Sequence, residues 1–187
     1  MSVVVKTAPE EEPITLDEAK IHLKVDCTDT DDYITALIIA ARKHCERYQR
    51  RSYITQTLEL RLDYFPQFIV ELPRPPAISV TAITYTDSAG DTQTLSSTKY
   101  TVDVNSYVAR VVPAYNESWP TTRQVIDSVK VEYIAGYGDA ADVPETIKQA
   151  MYLLMGVWYE NMTPLSDVPV TEIPFAVTAL LDMEKVY

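Results

Sequence analysis

Cysteine is scarce. The 187 residues hold two, Cys27 and Cys45, too few for the disulfide framework of a small secreted domain, so a reduced, cytosolic protein is expected. Histidine is equally rare, at His22 and His44 alone. With four glycines in all, the chain has no G-x-G-x-x-G, no Walker lysine loop and no G-x-S-x-G. No N-terminal run joins basic residues to a long apolar stretch, and none of the apolar runs, such as Ala36 to Ala41 or Met151 to Trp158, is long enough to cross a bilayer. Membrane roles drop out. Positive charge is short as well: 16 bases face 27 acids, for a net charge of -11. Affinity for phosphates comes from Lys and Arg displacing counterions, so such a chain does not wrap nucleic acid, although it can surround DNA without gripping it.

The acidity is uneven. Residues 1–32 carry nine acids and three bases, residues 139–187 eight and two, and the middle ten and eleven. Nearly half the residues are apolar (47%), and the length suffices to bury a core in one domain or a domain with a subdomain.

Helical patterning brackets the chain. Thr15 followed by Glu18 is a capping box, and Leu16, Ala19 and Leu23 share one side of the helix it opens. The carboxylate-rich stretch Asp26 to Asp32 lacks the glycine and the closing glutamate of a calcium loop. It reads as the acidic N-terminus of a second helix capped by Asp29 or Thr30. That helix, Asp31 to Arg51, lines up Ile34, Leu37, Ile38, Ala41, Cys45 and Tyr48. Lys43, Arg47, Arg50 and Arg51 fall within about 100 degrees of arc on the opposite face. They are the one basic patch in the chain. A third helix, Pro144 to Asn161, opens with Asp142 and Glu145 as a capping box and faces inward with Ile147, Ala150, Met151, Leu154, Val157 and Trp158. A proline-rich connection, Pro164 to Pro174, leads to a final short helix, Phe175 to Val186, headed by Leu180 and Leu181.

Between the helices the period switches to two. Leu58, Leu60 and Leu62 alternate with charged residues. Further strands are expected at Phe68 to Leu72, Ile78 to Thr86 with a bulge near Ala82-Ile83, Thr92 to Leu95 after the Ser88-Ala-Gly-Asp91 turn, Tyr100 to Val104, Ala109 to Val112 and Ser128 to Ile134. The expected fold is α+β: a flexible N-terminal arm over residues 1–13, a helical body from residues 14–52 and 143–187, and an inserted antiparallel β-region over residues 53–142.

Chemistry finds no foothold. His44 and Cys45 are helix neighbours pointing about 100 degrees apart, so they can hardly serve one zinc site with His22 and Cys27. No serine or cysteine sits beside a base in a recognisable motif. We therefore expect no catalytic residues, no metal and no cofactor. Thirteen tyrosines against three phenylalanines suit half-buried sheet faces and interfaces. The residues alone leave two readings open: an assembly protein, or a small ligand-binding module or enzyme using the β-region.

Several motifs in order narrow the choice. Ile14-Thr-Leu-Asp-Glu-Ala-Lys-Ile-His-Leu-Lys-Val-Asp26 is followed by Asp31-Asp-Tyr-Ile-Thr-Ala-Leu-Ile-Ile-Ala-Ala-Arg42, Glu46-Arg-Tyr48 with Arg51, and Thr55-Gln-Thr57. Leu72-Pro-Arg-Pro75, Val80-Thr-Ala-Ile-Thr-Tyr85, Ser118-Trp-Pro120, Ala135-Gly-Tyr-Gly138, Val143-Pro-Glu145 and Trp158-Tyr-Glu-Asn161 come after them. This set resembles the head-tail connector (adaptor) proteins of tailed bacteriophages, the group that includes the HK97 and phiE125 connectors, over residues 14–183; the alternative it leaves is another phage tail or neck structural protein such as a tail terminator. The resemblance implies a structural virion protein of the neck, assembled in the bacterial host cytoplasm. About a dozen copies would form a homo-oligomeric ring under the portal protein, extend the DNA channel and receive the tail-completion (stopper) protein. It further implies that a free copy can be a monomer, that DNA passes without specific binding, and that no catalytic residue carries over. Lys43, Arg47, Arg50 and Arg51, with Leu180 and Leu181, are the candidate oligomer or portal contacts.

Overall fold

The computed structural model describes residues 1–161, 175–183 and 185. The expected connection Pro164 to Pro174, and Glu184 and Val186 of the expected last helix, lie outside the described residues. The chain divides into two compact units, residues 1–10 with 55–137 and residues 11–54 with 138–187.

The first unit is built of strands. β1 (Ser2–Thr7), β2 (Gln56–Leu62), β4 (Ala77–Thr86), β5 (Thr92–Thr94) and β8 (Val129–Ala135) form a five-stranded antiparallel sheet in the order β1-β2-β8-β4-β5. β3 (Val70–Glu71), β6 (Tyr100–Asp103) and β7 (Arg110–Pro113) form a second, in the order β3-β7-β6. Alternation decides the inner face, since side chains on a strand point to opposite sides in turn. Leu58 and Leu60 of β2 stand opposite Tyr133 and Val131 of β8, and all four are fully buried. They join Ile83, Val70, Leu72 and Val111 in one apolar cluster fed by both sheets. Each such side chain contributes about 2 kcal/mol of burial. The register of β4 shifts between Val80 and Ala82, one residue from the expected bulge.

Residues 1–13 differ from the flexible arm predicted for them. Ser2 to Val5 pair in register with Arg61 to Leu58, and Lys6 forms an ion pair with Glu132. The run Val3-Val-Val5 has the β-branched side chains that favour an extended backbone, and the edge of β2 offers it a ladder. The acidic residues and prolines that suggest an arm begin only after this strand, at Pro9.

The second unit is helical: α1 (Leu16–Leu23), α2 (Asp31–Gln49), α3 (Glu145–Glu160) and α4 (Phe175–Asp182). α2 contacts the other three. The Thr15–Glu18 capping box forms in full, with the Thr15 hydroxyl accepting from the Glu18 N–H and the Glu18 carboxylate accepting from the Thr15 N–H. Two expected caps do not form. Thr30 precedes α2 without a side-chain bond, and Asp142 closes a box with Asp139 around the 3-10 turn Ala140–Asp142, so that α3 starts behind Pro144 with no side-chain cap. The apolar stripe of α2 packs as expected, but three polar residues are buried beside it: Arg42, Glu46 and Gln49. On α3, Met155 is buried while Val157 and Trp158 are half-buried.

Candidate assembly surfaces

The three buried polar residues of α2, Arg42, Glu46 and Gln49, each have hydrogen-bond partners. Arg42 donates through Nε and Nη2 to Glu12 at 2.6 and 3.1 Å, and through Nη1 to Glu46 at 2.9 Å. Glu46 also accepts the Tyr53 N–H at 2.9 Å. Gln49 donates to the Leu181 carbonyl at 2.6 Å and accepts from the Tyr53 hydroxyl. Buried polar groups stay folded only when paired in this way. Cys45, on the same helix, is a buried small side chain whose thiol is pushed up to about 12 by desolvation.

Three of the four expected basic residues reach the surface. Lys43, Arg47 and Arg50 are exposed, and none has a carboxylate partner among the described residues. Other bases of this acidic chain are paired internally: Lys6, Lys20, Arg42, Arg61, Lys99, Arg110, Lys148 and Lys185. Arg51 departs from the expected patch. α2 ends at Gln49, Arg50 takes a left-handed backbone with φ of 56 degrees, and the 100-degree helical step no longer applies to the next residue. Arg51 is only 7% exposed as a result. The two leucines of α4 separate likewise: Leu180 is half-buried, whereas Leu181 is fully buried and so sits in the core of its own unit.

A second surface, not legible in the sequence, lies on the β unit. Tyr64, Phe68, Ile69, Val125 and Ile126 are all exposed large apolar side chains, Ile126 at 85%. Tyr64 lines three adjoining grooves of about 300, 450 and 480 Å³. No Lys, Arg, His or Cys lines any of them, while Asp63, Glu71 and Glu117 do. A ring stack and hydrogen bonds hold residues of the patch. The Phe65 and Trp119 rings stack at 4.7 Å with planes 3 degrees apart, and the Trp119 indole N–H donates to the Phe68 carbonyl at 3.3 Å. Asp63 accepts the Asp127 N–H at 3.0 Å, and the Ser128 hydroxyl donates to the Asp63 carbonyl at 2.6 Å. A contiguous apolar patch of this kind marks an interaction surface more often than an isolated exposed residue does. It escaped the sequence reading because Phe68 and Ile69 read as part of a strand, whereas only Val70–Glu71 pair.

Among the described residues no group of three His, Cys, Asp or Glu side chains could hold a metal ion, and no helix is long and apolar enough to cross a membrane. His22 stacks on Tyr152 at 4.9 Å and His44 meets the edge of Trp158 at 5.9 Å.

Known proteins give the arrangement a context. A family model described as "Head completion protein" matches residues 12–167. The fold is similar to a chain from the neck of an empty gene transfer agent particle computed with C6 symmetry, at a TM-score of 0.81 and 22% identity. It is also similar to a chain in the virion of the native gene transfer agent particle (0.78, 21%) and to one in the native neck computed with C12 symmetry (0.78, 22%). Each likeness covers 100% of this chain and 96% of the other. No curated protein matches the sequence with significance.

Proposed function

The chain belongs to the head completion protein family, and on that premise we propose that it is a structural head-tail connector of the virion neck. The observation that carries this reading is the family match across residues 12–167. Its fold likeness to chains in the necks and virion of a gene transfer agent supports it. In this role the chain works through shape and surface rather than by transforming a substrate.

The finer reading is a ring of about a dozen copies seated under the portal, contacting the portal above and the tail-completion protein below. A ring is a head-to-tail assembly, so each copy presents two different and complementary faces. Lys43, Arg47 and Arg50 supply one of them. The net charge of -11 favours a lumen through which DNA slides without adhering, because like charges repel.

Electron microscopy of the full chain mixed with its cognate portal tests the role. The expected result is one added ring at the narrow end of the portal. Portals that stay bare at saturating concentrations of the protein would refute it.

A further inference from the structure

The acidic N-terminal segment of a neighbouring copy is the obvious partner for the basic face of α2, but much of that segment is already engaged. Glu12 is committed to Arg42, and Glu11 accepts the Ala140 N–H at 2.6 Å. Residues 2–7 are paired as β1. The β unit offers another acidic surface.

The patch on the β unit has the matching chemistry. It offers exposed rings at Tyr64 and Phe68 beside Asp63 and Glu71, which have no basic partner among the described residues. We propose that Lys43, Arg47 and Arg50 of one copy dock on the Tyr64, Phe68 and Ile126 patch of the next copy, so that this contact is the repeating joint of the ring. The inference rests on the ring reading above and names which face meets which.

Three physical points favour a second copy as the occupant. The aliphatic stems of Lys and Arg cover apolar surface while their heads reach for carboxylates, so one side-chain type satisfies both parts of the patch. A cation over an aromatic face gains from the ring quadrupole, and more so once water is excluded. The two surfaces are different patches of the same chain with opposite charge, so they can meet as a heterologous, head-to-tail contact, the type that forms a ring when its rotation closes. The Phe65–Trp119 stack and the Trp119 bond to Phe68 hold the patch in place before docking, so little ordering cost falls on association.

The test places the photo-crosslinker p-benzoylphenylalanine at Ile126 of the full chain, assembles rings on the portal and irradiates them. The expected product is an adduct of two copies of this chain, attached within the peptide that carries Lys43 to Arg50. A visible ring that yields an adduct with the portal, with another neck protein, or with none would overturn this inference and leave the connector role standing. Failure of the unsubstituted chain to form any ring would overturn both. In a second arm, Arg47→Glu with Arg50→Glu should lower ring-loaded portals by about tenfold without altering the circular dichroism spectrum, and adding Glu71→Arg should recover part of the loss. Full loading by the double variant would also overturn the proposal.

Discussion

Arg42 holds Glu12 through two bonds, Nε to Oε2 at 2.6 Å and Nη2 to Oε1 at 3.1 Å, and so pins the segment between β1 and α1 against the middle of α2. Burial alone would lower the pKa of the guanidinium, but Glu12 and Glu46 outweigh that cost and the net shift is upward. Removing one member of a buried ionic network leaves the others uncompensated. Arg42→Ala should therefore cost about 3–5 kcal/mol, read as a fall in the urea midpoint at unchanged m-value.

The cap of α1 gives a smaller and pH-dependent effect. Thr15→Ala should cost about 1 kcal/mol. The Glu18 carboxyl lies below its ordinary value of 4.5, first because the Thr15 N–H donates to it and then because the Thr15 hydroxyl does. A lowered carboxyl pKa stabilises the folded state fully above the ordinary value, and the contribution fades as pH falls through the lowered one. Wild type and Glu18→Gln should thus differ in stability at neutral pH and converge in acid, in parallel urea titrations.

Thiol chemistry separates the two cysteines. Cys27 is exposed and Cys45 is buried, with the Cys45 thiol held protonated well above its ordinary 9.0. A thiol-reactive dye at pH 8 should label one cysteine in the native protein and both in denaturant. Because the raised pKa belongs to the folded state, Cys45 withdraws stability as pH climbs past 9.0.

Gly138 marks a point where only glycine fits. Its φ is +138 degrees, and an added Cβ would lie 2.2 Å from the Asp142 carboxylate that accepts the Asp139 N–H. Gly138→Ala should cost about 1–3 kcal/mol from backbone strain, with further loss if Asp142 swings away from its box. Thermal unfolding checks it.

The sequence pattern disclosed what depends on local periodicity. The stripe of α2 from Ile34 to Cys45, the inward Leu58 and Leu60, the bulge in β4 and the Thr15–Glu18 box all lie close to where spacing placed them. It missed what depends on distant partners. β1 is stabilised by β2, more than 50 residues away. Arg51 was misplaced because the helix stops two residues short of it, at Gln49. Phe65 and the exposed Phe68 meet Trp119, more than 50 residues on, a contact that no local period can announce.

The chain passes between its two units three times, after residues 10, 54 and 137. Neither unit is therefore encoded by one unbroken stretch of the gene. A fragment spanning residues 55–137 would lack β1 and leave the β2 ladder open, an invitation to intermolecular pairing and aggregation. Exchange of the β unit between related proteins demands three simultaneous junctions, after residues 10, 54 and 137.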